Sequence, residues 1–167
     1  MCEIPIPAEP DCNIPVPVAS EENVVRAVWS QHLDGKSLKK SFFKTERASV
    51  MRHTYMGTEA CRVQAKAIVP GNPSLRYKGL AITRVEKFRA VGSDIVDSRE
   101  IYCGHAHVEH GQIAYEQAEP GEPRTGPEAL MMLDERLRKL KEATRWFPDL
   151  DPASEHWSGP PVEPFAL

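Results

Sequence analysis

No stretch of this chain approaches the ~18–20 consecutive apolar residues that a membrane-spanning helix requires, so contact with a membrane is not expected. The Met1-Cys2-Glu3-Ile4-Pro5 start lacks the basic and continuous apolar regions of a secretion signal, which makes cytoplasmic residence the expectation. Cysteine occurs only at 2, 12, 61 and 103, with no pair at the two-residue spacing of a zinc knuckle or thioredoxin-type motif. In a reducing compartment these read as free thiols. Gly-x-Ser-x-Gly, a phosphate loop, a dinucleotide fingerprint and His-Glu-x-x-His are all missing, which disfavours standard nucleotide hydrolysis and dinucleotide redox chemistry.

What is present is a globular composition: 167 residues, 41% apolar and 27% charged, enough for one domain with a core. The net charge of −3 hides an asymmetry. Between Ser20 and Ala90, 14 Lys and Arg face 6 Asp and Glu, a balance of +8, whereas the rest of the chain carries 7 against 18, a balance of −11. Such a split can mark a polyanion-binding surface beside an acidic segment, or two halves that neutralise each other on folding.

Three regions follow from composition: a proline-rich extended arm over 1–20, a domain over 21–147 and an acidic, proline-containing tail over 148–167. In the arm, Cys2-Glu3-Ile4-Pro5-Ile6-Pro7 is echoed by Cys12-Asn13-Ile14-Pro15-Val16-Pro17. Alternate prolines remove backbone donors and fix φ, so the arm is polyproline-like. Val24 to Trp29 reads as a strand, and Ser37 to Phe43 as one or two helical turns with Leu38 and Phe42 inward. Ala48 to Tyr55 reads as a second strand, followed by a helix from Thr58 to about Ile68. Leu80 to Val91 mixes a two-residue with a three-residue recurrence and reads as a bent strand; Arg99 to Glu109 and Gln112 to Tyr115 read as further strands. Thr125-Gly126-Pro127-Glu128 then opens a helix whose Leu130, Leu133, Leu137 and Leu140 form one stripe. The expected fold is α+β: a mainly antiparallel sheet of four to five strands with this C-terminal amphipathic helix packed on it, flanked by proline-rich terminal arms.

Chemistry-bearing residues concentrate in Ile101 to His110. Period-two alternation places Cys103, His105, His107 and Glu109 on one face, with Tyr102, Ala106 and Val108 on the buried one. Imidazoles at His105 and His107 could converge on a divalent ion such as zinc, with His53 as an outside third ligand, Cys103 as a soft ligand or thiol nucleophile, and Glu109 as general base. Histidines on the polar face of a strand can equally meet only water.

The basic segment supports a rival reading. Lys39 and Lys40 beside Phe42 and Phe43, then Arg52 and Arg84, would attract a phosphate-bearing ligand or an acidic partner. The first reading is a non-enzymatic binding or accessory module that contacts a protein or nucleic-acid partner through a basic face and terminal arms. The alternative is a metal-dependent enzyme, a hydrolase, centred on the His-x-His strand. The residues do not fix whether the chain is an enzyme, or its oligomeric state.

Overall fold

Branched residues from Val24 to Val28 form β1 (Asn23–Trp29) at the middle of a computed structural model that describes residues 11–45, 47–111 and 127–166. Around it pair β4 (Ser49–Arg52), β5 (Tyr77–Arg84), β6 (Asp94–Asp97), β7 (His105–Glu109) and β8 (Arg145–Pro148), all antiparallel, in the order β6-β7-β4-β1-β5-β8. A two-residue ladder, β2 (Leu33–Asp34) with β3 (Ser37–Leu38), stands apart from this sheet. The fold is thus α+β, with six strands in the main sheet where four to five were expected. The strand expected over 112–115 lies outside the described residues, as do residues 1–10 of the arm.

Both faces of the sheet are covered. On one, Val24, Val28, Val50, Ala106 and Val108 meet Phe42 and Phe43, α2 (Val85–Ala90) and α3 (Pro127–Ala143). On the other, Val25, Ala27, Met51, Leu80 and Ile82 meet Cys61 and Ala65 of α1 (His53–Ala67) and Val162 beyond β8. Burying branched and aromatic side chains on two faces is the dominant stabilising term for such a layered domain.

Several expectations are corrected here. The segment 80–91 is strand and then helix: Leu80 and Ile82 carry the strand period, and Val85 and Phe88 are buried residues of α2. The strand expected from Arg99 begins only at His105, because residues 98–104 form turns ending at Gly104. At φ 98°, Gly104 occupies the left-handed region, and a Cβ there would lie 2.4 Å from Met56 Sδ. Gly57 (φ 77°) interrupts α1, so its regular part starts at Thr58, as the sequence suggests. In α3 the inward stripe is Leu133, Arg136, Leu137 and Leu140, while Leu130 is exposed.

Candidate functional site

β7 is paired along one edge with β6 and along the other with β4, and its histidines are buried rather than meeting open solvent. His105 and His107 are each 5% exposed and project with Met51 and Ser49, their register partners on β4, toward the α1 side. His105 Nδ1 is hydrogen-bonded to Ser98 Oγ at 2.6 Å, and its ring packs edge-on against Tyr102. Burial, with the adjacent His107, lowers its pKa. His107 donates from Nε2 to Glu109 Oε1 at 2.9 Å, and Glu109 itself is exposed. His53 opens α1, and its Nε2 is bonded to Thr58 Oγ1 at 2.9 Å. Among the described residues no three His, Cys, Asp or Glu side chains are grouped to hold a metal ion. His53, His105 and His107 are therefore not brought into one ligand set.

Cys103 is not a free thiol: it is bonded to Cys12. That bond corrects the expectation of four reduced cysteines and removes the sulfur as nucleophile or soft ligand while it stands. Cys61 is free but buried, and burial pushes its thiol up to about 12.

Arg52 is likewise corrected. It is fully buried, not part of a basic face. Its guanidinium donates to Glu22 (Nε to Oε1 2.9 Å, Nη2 to Oε2 2.7 Å) and to Asp97 Oδ2 at 2.8 Å. Its remaining hydrogen bonds go to the carbonyl oxygens of Pro15 and Pro17. Arg99 donates to the carbonyl of Ile14 at 2.7 Å, and Arg89 to that of Val18. A proline-rich strand has few N–H groups but all of its carbonyls, so arginines are its natural partners. The segment 12–18 is thus strapped to its own domain by Cys103 and three arginines. Burial alone would raise the Asp97 carboxyl, but hydrogen bonds from Arg99 and Arg52 outweigh it and hold the group below its usual range.

The residues after β8 are also integral. Asp149 is buried and accepts from Arg62 Nε at 2.7 Å and from the Tyr77 hydroxyl at 2.9 Å. Arg62 further donates to the carbonyls of Ser154 and Asp151, both at 3.0 Å, and Lys66 to that of Pro152. Of the other basic residues singled out, Lys39 and Lys40 are exposed, and Lys40 pairs with the exposed Asp134 of α3. Arg84, at the end of β5, lines a groove of about 480 Å³ with Lys87, Lys139, Glu142 and Phe165.

A second cavity, of about 310 Å³, was not signalled by any motif. It opens between the sheet and the loop after α1, and its lining includes Arg26, Trp29, His32, Met51, Ile68 and Tyr102. His32 Nδ1 accepts the Trp29 backbone N–H at 3.0 Å, and burial together with Arg26 and Lys39 pushes the imidazole down to about 4. It is therefore neutral, with its proton on Nε2. Arg26 sits over the Phe42 ring, 5.2 Å from its centroid. The only sequence signal for this residue is an arginine inside an otherwise apolar strand. No family model, curated protein or solved structure matches this chain.

Proposed function

We propose that the chain is a non-catalytic binding or accessory module that takes an acidic or phosphate-bearing partner, protein or nucleic acid, on the layer formed by α2, α3 and the 37–43 turn. The groove beside Arg84 carries this reading. Neither Arg84 nor Lys87 enters an ion pair among the described residues, and Lys139 reaches the Glu135 carboxylate only at 3.9 Å. Glu142, the acidic residue of the groove, is engaged by Arg138 at 2.6 Å. Lys39 and Lys40 extend the same positive layer, and the exposed Lys40–Asp134 pair is weak enough for a polyanion to displace. Pro164, Phe165 and Ala166 line this groove, so the last residues compete for it.

The experiment is fluorescence anisotropy with a labelled dT20 oligonucleotide at low salt. Lys87→Glu/Lys139→Glu should weaken binding at least ten-fold, and removal of residues 164–167 should strengthen it. The truncation stops there because residues 149–163 contain the buried Asp149 and Val162. Absence of binding by the intact chain at 20 mM salt would sink the reading for nucleic acid, and failure with polyglutamate as well would sink it altogether. The Cys12–Cys103 bond favours an oxidising compartment over the cytoplasm for this module.

A further inference from the structure

The Arg84 groove does not end at Val91. A neighbouring groove, of about 410 Å³, shares Ala90, Val91 and Lys139 with it and continues along α3 to Met131 and Met132. The two form one trough between α2 and α3. Its far end is apolar and open: Leu130, Met131 and Met132 follow one another and are all exposed, Met131 at 73%. Its charge is one-sided. Glu135 and Glu142, the carboxylates of the lining, are both engaged by Arg138, at 2.5 and 2.6 Å. The remaining charged groups are cations, and one of them is set into the wall. Arg136 is 8% exposed and enters no ion pair among the described residues. Its Nη1 donates to the carbonyl of His110 at 2.7 Å and lies 3.4 Å from Ser93 Oγ. Nε and Nη2 have no acceptor among the described residues and keep contact with solvent. Gly92, next in the chain to Val91, passes beside Nη2, since a Cβ there would lie 3.0 Å from that atom. The unpartnered edge of the guanidinium thus borders the trough.

We infer that the partner taken by this trough is an acidic peptide whose carboxylates alternate with bulky apolar side chains, an inference that rests on the function proposed above and narrows it. One carboxylate sits on the open edge of Arg136, and an apolar side chain lies against Met131 and Met132. Arginine's planar fork matches the two oxygens of a carboxylate, and clustered cations of this kind are a recurring means of reading acidic motifs. Methionine, unbranched and polarisable, adapts to apolar side chains of varied shape. A nucleic acid would bring phosphates to Arg84, Lys87 and Lys139 but would leave both methionines bare. A peptide presents carboxylate and apolar groups at neighbouring positions, as the lining requires.

The probe is a fluorescein-labelled peptide of three Leu-Glu-Ser-Gly units, titrated with the full chain beside two controls, one with Ala for Leu and one with Gln for Glu. The Leu-Glu peptide should bind at least ten-fold more tightly than either control and than dT20. Met131→Ser/Met132→Ser, both at exposed positions, should bring its affinity down to that of the Ala-Glu control while leaving dT20 binding unchanged. Arg136→Gln, checked by its melting curve, should weaken the Leu-Glu peptide about ten-fold and leave the Leu-Gln control unmoved. Polyglutamate or dT20 binding with no advantage for the Leu-Glu peptide would overturn this inference and leave the proposed function standing. Absence of binding by any of the anions would overturn both. Self-association of the chain that Met131→Ser/Met132→Ser abolishes would give the trough to a second copy and likewise overturn the peptide assignment.

Discussion

Arg52 and Glu22, 30 residues apart, meet in a two-bond fork wholly inside the protein: the arginine is fully buried and the glutamate 3% exposed. The fork is completed by Asp97 and by two proline carbonyls, so one cation ties β4, β6, the proline-rich strap and the residue before β1 together. Removing one member of a buried, hydrogen-bonded ion set leaves charge stranded, at a cost of roughly 3–5 kcal/mol. Arg52→Met should therefore destabilise the protein by about that amount in urea unfolding and expose the strap to protease. A loss under about 1 kcal/mol would mean that the set is not maintained in solution.

The Cys12–Cys103 bond closes a separation of 91 residues. Chain-entropy reasoning assigns about 4–5 kcal/mol to a loop of that size. Cys12→Ser/Cys103→Ser should lower the unfolding midpoint accordingly, and reduction of the parent should reproduce the effect. Native alkylation should leave Cys61 untouched, since it is buried with its thiol pushed up to about 12.

At Gly104, an alanine meets two obstacles, the left-handed backbone and the Met56 sulfur 2.4 Å from the new Cβ. Gly104→Ala should cost roughly 1–3 kcal/mol. Pairing it with Met56→Ala should restore the steric part and leave the backbone part, a non-additive result read directly from a double-mutant cycle of melting curves.

Acid should weaken the fold in two stages. His32, His53, His105 and His110 all take up protons less readily when folded, chiefly through burial. The unfolded chain therefore binds more protons than the folded one below pH 6.5, and stability present above that value falls as pH drops toward about 4. His32 alone contributes on the order of 1–2 kcal/mol after allowance for solvent screening. Below about 3.8, Asp97 and Asp149, both held down by arginine partners against their burial, add a further loss of the same sign. Urea midpoints at pH 7.5, 6.0 and 4.5 should decline monotonically; a plateau across that range would contradict the histidine placements.

The elements with a clean period were legible from residues alone. Val24–Trp29 gave β1, Thr58 marked the regular start of α1, and the Leu133–Leu137–Leu140 stripe lies inward in α3. The mixed recurrence over 80–91 was two elements in succession, each with its own period. β6 and β8, four residues each, were not read as strands. The site was less legible. Alternation correctly placed His105 and His107 on one side of a strand, but it cannot say that both faces of the sheet are covered by packed layers. Arg52 looks basic and surface-bound until Glu22 and Asp97, 30 and 45 residues away, arrive beside it. Long-range ion sets leave no local mark.

The Arg62–Asp149 contact spans 87 residues and has a bearing on how the chain is made. When α1 leaves the ribosome, the carboxylate that neutralises its arginine has not been translated, nor has β8, which closes the sheet beside β5. The partly made chain must keep Arg62 hydrated and the edge of β5 unpaired until Asp149 and β8 have been made. Closure of this sheet accordingly waits on a segment 87 residues beyond Arg62, and nascent chains stalled before Asp149 are the natural clients of chaperones.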